Sequence, residues 1–111
     1  MAKLGNVSLA GISGRQYHLD VYPRNDQFKP IGAVFALAKR IPFADGEAEY
    51  TWIHVGETDD ISRRPLAPAH KSCIDEHEAN CLCLLIEADA AQRRSIAADL
   101  RGSCKPPCGE S

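Results

Sequence analysis

The stretch "WIHVGET", residues 52–58, decides how this chain is read. Its alternation places Trp52, His54 and Gly56 on one face of an expected strand, with Ile53 and Val55 on the other. Thr58 then offers an N-cap, and Asp59 and Asp60 follow where a helix dipole favours carboxylates. A strand thus runs directly into a helix start. A histidine stands near its end, where the neighbours suggest a tyrosine or another aliphatic. His54 reads either as an aromatic packed between Trp52 and the adjacent strand or as a working imidazole that titrates near neutral pH.

Working outward, "IGAVFALA" (31–38) is apolar on both faces, as a central strand should be. "PFADGEAE" (42–49) carries the turn pair Asp45-Gly46. The segments 31–38 and 50–55 therefore form an expected antiparallel hairpin, its connection longer than the usual two to five residues. "QYHLDVY" (16–22) alternates Tyr17, Leu19 and Val21 against polar neighbours. "NCLCLLIEA" (80–88) is a further core strand, with Leu82, Leu84 and Ile86 opposite Cys81, Cys83 and Leu85.

The spacing predicts a helix from Asp89 to Arg101, with Ala90, Ala97 and Leu100 on its inner face and Gly102 as its stop. Pro65 and Pro68 leave any helix between the core strands short or broken. Residues 1–15 hold three glycines and little pattern, and read as a flexible lead-in to one domain over 16–109. The fold class is α/β (α+β): a small mixed or antiparallel central sheet flanked by helices.

The bulk numbers agree with one soluble domain: 111 residues, 44% hydrophobic and 25% charged. A net charge of −2 argues against strong non-specific nucleic-acid binding. Lys39-Arg40, Arg63-Arg64 and Arg93-Arg94 still permit a small basic patch. No apolar run approaches the roughly 18 residues of a membrane span, and no secretory leader is seen, so a cytoplasmic location away from membranes is expected.

Five cysteines in such a chain do not make disulfides the default. Cys81, Cys83, Cys104 and Cys108 with His77 supply zinc-type ligands, but no C-x-x-C pair is present. Cys81 and Cys83 share one face of an apolar strand, where free cysteine behaves as a small hydrophobe. No stoichiometric zinc is expected from this set.

Taken in order, "AVF" (33–35), "HVG" (54–56), Arg64 and "IAADLRGSCKPPCG" (96–109) resemble the motifs of the GIY-YIG nuclease superfamily. The resemblance spans roughly residues 16–109. It implies a GIY-YIG nuclease-like fold and a site for phosphodiester hydrolysis. In that family two tyrosines, an arginine, a metal-binding glutamate and a terminal asparagine build the site. Here those positions hold Phe35, His54, Arg64, Ala97 and Gly109.

His54 keeps a competent base and Arg64 keeps a phosphate ligand, whereas Phe35 has no hydroxyl and Ala97 has no carboxylate. On the implied register, Ala97 approaches Phe35 and His54, and Ala97→Glu would recreate a magnesium ligand. Glu87 is the only carboxylate with a route to replace it. Pro65 disfavours the helical conformation for Arg64.

The favoured expectation is a catalytically impaired nuclease-fold module that contacts DNA weakly, or a protein partner, through His54, Arg64, His70 and Lys71. An active endonuclease would need Mg2+ or Mn2+, with His54 as its base. A zinc-stapled interaction domain is the third alternative. Otherwise no cofactor is expected.

Overall fold

In the computed structural model, which describes residues 3–109, the long apolar segment 31–38 extends into a strand at the middle of the core. The elements are β1 (Gly5–Ala10), β2 (Gln16–Pro23), β3 (Ala33–Pro42) and β4 (Ala48–Thr58). A 3-10 turn (Pro68–His70), α1 (Lys71–Glu76), β5 (Cys81–Ile86) and α2 (Ala90–Cys104) follow. The five strands form one antiparallel sheet in the order β1-β2-β5-β3-β4. The α+β class expected from the pattern is what is found.

The two-faced character of β3 follows from its position. Val34, Ala36 and Ala38 join Tyr17, Leu19, Val21, Val55, Cys81 and Cys83 in a layer covered by Ile96, Ala97 and Leu100 of α2. Phe35 and Leu37 point the other way, into a layer with Ile53, Leu82 and Leu84 that is covered by Ile61, Ile74 and Cys108. The alternation within β5 is as read, except that Ile86 ends the strand 55% exposed.

Several boundaries differ from the expectation. Residues 5–10 of the supposed lead-in are an edge strand, β1, paired with β2 from Gly5↔Val21 to Ala10↔Gln16. What holds them is distant in sequence. Asp99 of α2 accepts from Ser13 N at 2.9 Å, Ser13 Oγ at 2.7 Å and Tyr17 Oη at 2.8 Å. The β3–β4 connection is only residues 43–47, because both strands outrun their apolar cores.

Helix α2 does not stop at Gly102 but continues to Cys104, where Lys105 takes the left-handed conformation (φ 48°). Gly102 is there for clearance: a Cβ would lie 2.9 Å from Ile12 Cγ2. Asp89 caps the helix, its carboxylate accepting from Gln92 N at 3.1 Å. Thr58 caps nothing helical. Its hydroxyl accepts from Asp60 N at 3.1 Å in a local turn, and residues 59–67 are loop. Buried Ile61 pins that loop, with its N–H donating to Ile31 O at 2.9 Å. Among the described residues no helix is long and apolar enough to cross a membrane.

Candidate functional site: a cationic pocket at the edge strand

The site begins with a β-bulge. Leu37 pairs with His54 but Ala38 pairs with Trp52, so Ile53 is an extra residue on β4. The extra residue breaks the simple alternation read from the sequence. Trp52 and Val55 belong to the α2 side of the sheet, whereas Ile53 packs on the opposite side. His54 follows Leu37 to that same opposite side. Its ring centroid is 5.8 Å from Phe35 and 5.2 Å from His70. The bland expectation of a ring wedged against Trp52 is therefore corrected: Trp52 stacks on Tyr50 instead, with centroids 5.4 Å apart.

Because β4 is an edge strand, its outward carbonyls need partners. Cys108 N donates to Ile53 O at 3.0 Å, and Arg101 Nη1 donates to Val55 O at 3.2 Å. The C-terminal tail is thus stitched to the bulge. In return Cys108 O accepts from His54 Nδ1 at 2.8 Å. A carbonyl oxygen can only accept, so Nδ1 carries the proton and Nε2 of the neutral ring keeps its lone pair. His54 is only 7% exposed. Burial is the main reason its pKa is lowered from the usual histidine value; the Cys108 hydrogen bond opposes this, while nearby His70 and Arg101 add to it.

Nε2 lies near Gly56, whose missing Cβ would stand 3.1 Å from it and 2.9 Å from Phe35 Cζ. Around it opens a pocket of about 580 Å³, lined by Phe35, His54 and Gly56 and by the 63–70 loop. Arg63, Arg64, His70 and Arg101 bring positive or ionisable nitrogen to its walls. Among the described residues its lining includes one carboxylate, Glu57. Glu57 is committed to Arg93, whose Nε donates to it at 2.8 Å with the arginine side chain only 6% exposed.

The positions singled out by sequence fare unequally. Phe35, His54, Arg64 and His70 share the pocket. Gly109 adjoins it, since a Cβ there would come 2.7 Å from His54 Nδ1. Ala97 does not join them. It is fully buried in the layer beneath α2, among Val34 and Val55, on the other side of the sheet from Phe35 and His54. The implied convergence of these three is corrected, and with it the expectation that a glutamate at 97 would reach His54.

Glu87 gives no substitute: its carboxylate accepts from Asp89 N at 3.1 Å, and it does not line the pocket. Arg64 sits in loop and is largely engaged. Nη1 donates to Ile61 O at 2.7 Å and Nη2 to Asp26 O at 2.7 Å, and the guanidinium lies over the Phe28 ring. Lys71 faces another cleft and pairs with Asp75 at 2.7 Å.

Two features escaped the sequence reading. Arg101, the last residue of the expected helix, reaches around the edge strand into the pocket. Its Nε is buried without a hydrogen-bond partner among the described residues. Against the expectation that disulfides are not the default, Cys73, which stands outside the zinc-type set, is disulfide-bonded to Cys108. Of the cysteines weighed as zinc ligands, Cys81 and Cys83 are buried under α2 and Cys104 is a free thiol at the end of that helix, so the four do not converge. Comparison with known proteins gives no match to a family model, a curated protein or a solved structure.

Proposed function

We propose that this chain is a non-catalytic binding module that takes a phosphate group, in the first place the backbone of a nucleic acid, in the His54 pocket. The observation that carries this is the imbalance of charge on the pocket wall. Three guanidinium groups and two imidazoles line it against one lining carboxylate, which is paired with Arg93; Arg63 also meets Asp59 at 3.4 Å, in an exposed and therefore weak pair. Arginine forks match phosphate oxygens, and Arg101 Nε is a donor without a partner among the described residues. The neutral, Nδ1-protonated His54 presents an acceptor at Nε2 that can take a hydroxyl proton or hydrogen bond.

The resemblance to the GIY-YIG nucleases supports this reading through Phe35, His54, Arg64 and the nearby Gly109. The burial of Ala97 across the sheet counts against shared chemistry. A hard cation needs oxygen ligands, and among the described residues the one carboxylate on the pocket wall is neutralised by Arg93. The nucleic-acid contact is modest, as a chain of net charge −2 requires.

The test is fluorescence anisotropy with short single-stranded, duplex and branched DNA at two salt concentrations. Binding is expected at low salt with a log–log salt slope of about −2 to −3, as for some three phosphate contacts. Arg63→Ala and Arg101→Ala should each weaken it, and inorganic phosphate should compete. Absence of binding, or binding indifferent to both substitutions, would sink the reading. A cleavage assay with Mg2+ and Mn2+ should give no product, and cleavage abolished by His54→Ala would establish an active endonuclease instead.

A further inference from the structure

Behind the pocket, on the far side of the Cys108 peptide, three ligand-type side chains meet. Cys73 and His77 are four residues apart on and just beyond α1, so the helix turn brings them to one side. The tail delivers Cys108 to the same point through its bond to Ile53 O. The two sulfurs and an imidazole nitrogen all lie within 4.8 Å of one another. His77 Nδ1 stands 3.8 Å from Cys73 Sγ and 3.6 Å from Cys108 Sγ.

Those two separations have a chemical meaning. A tetrahedral zinc ion, with bonds of about 2.3 Å to sulfur and about 2.0 Å to nitrogen, sets each sulfur–nitrogen edge at roughly 3.5–3.6 Å. The imidazole is therefore already placed at the edge length of a Cys2His site. We infer that reduction of the Cys73–Cys108 disulfide converts this cluster into a zinc site, with Cys73, His77 and Cys108 as its ligands and an open fourth position toward solvent. Cystine and zinc are alternative occupants of the same three side chains.

The balance is explicit. A thiol pair, leaving as its own disulfide, or a phosphine, leaving as its oxide, supplies the two electrons, and two protons complete the two thiols. Zinc binding expels both thiol protons as the sulfurs become thiolates. His77 Nδ1 donates to Cys73 O at 2.9 Å in the oxidised form. Binding moves that proton to solvent-facing Nε2, and the exposed ring turns its Nδ1 lone pair toward the metal. Neither Cys81 nor Cys83 can compete, being buried under α2. The site also abuts the phosphate pocket, because the Cys108 carbonyl holds the His54 Nδ1 proton. It does not depend on what that pocket binds.

The experiment uses the whole chain, reduced by a phosphine, which takes oxygen from water as it becomes the phosphine oxide, and then freed of excess reductant. Titration with Zn2+, and with Co2+ as a spectroscopic probe, should show one ion per chain and a thiolate-to-cobalt charge-transfer band. The oxidised protein should show neither. His77→Ala removes an exposed side chain and leaves the fold intact. It should weaken zinc binding by more than the roughly 10–100-fold that loss of a mere outer-shell partner causes. Cys104→Ser should leave binding unchanged. Sub-stoichiometric uptake, equal uptake by the oxidised chain, or an affinity unmoved in His77→Ala would each overturn the assignment.

Discussion

The two faces of the sheet are built on different principles. Beneath α2, apolar side chains from all five strands meet Ile96, Ala97 and Leu100 in a continuous layer. The opposite face is covered by the short α1, the loops that carry Phe28, Ile61 and Leu66, and the tail. It is held by single anchors: a disulfide, two hydrogen bonds to the bulge and the clamp of Arg64. Regular helix packing needs no special residues beyond a periodic apolar stripe. A face closed by loops needs specific bonds, because loop backbone cannot satisfy itself. That irregular cover is what leaves room for a polar pocket.

The contrast can be broken most forcefully at residue 97. Ala97→Glu places a longer, charged side chain in the apolar layer among Val34 and Val55. The expected cost is about 3 kcal/mol or more in denaturant unfolding, from overpacking together with carboxylate burial. Calorimetry should find no new magnesium or manganese affinity. A stable variant that gained a metal ion would instead put residue 97 within reach of His54, as the nuclease resemblance implies.

On the opposite face the disulfide is the largest single anchor. Cys73→Ser opens a cross-link that closes 35 residues of sequence. In the oxidised protein it should cost about 3–4 kcal/mol on chain-entropy grounds. The loss should be accompanied by freer exchange of the Cys108 amide with deuterium, whereas amides of β2 and β5 keep their relative protection.

Gly109→Ala should act more locally. The φ of +105° strains any side chain, and the new Cβ would meet His54 Nδ1 at 2.7 Å. A destabilisation of about 1–3 kcal/mol is expected. The His54 ring resonances should shift on NMR, and the α2-side methyl signals should stay in place.

The smallest effect is the pH dependence of His54. Its folded pKa lies below the unfolded value, so the unfolded chain binds the proton more readily. The contribution of His54 to stability is therefore complete above the unfolded pKa of about 6.5 and is lost as pH falls from there toward the folded value. Urea midpoints between pH 8 and pH 5 should decline more steeply for the wild type than for His54→Gln. Identical slopes would place the ring in a more solvated setting than the bulge provides.

Much of the α2 face was legible in the chain itself. Tyr17, Leu19 and Val21 repeat every second residue, Cys81 and Cys83 do likewise, and Ile96, Ala97 and Leu100 follow a helical stripe. Such periods are local statements about which side chains must leave water together, and one sheet packed under one helix satisfies them all. The His54 face was legible only in part. Phe35, His54, Arg64 and His70 could be singled out by type and order, but not the side of the sheet to which each would turn.

That choice was made by long-range contacts. One extra residue, Ile53, turned Trp52 and His54 to opposite faces, and no period in "WIHVGET" marks it. Asp99 ordered the first strand from the far end of the chain. Arg101 reached the pocket by bending around an edge that exists only once β4 is the last strand of the sheet. Cys73, His77 and Cys108 became neighbours because the tail returns to the bulge. Periodicity records which groups must be buried. Partnership between distant groups depends on how the chain closes on itself, and only the tertiary structure decides that.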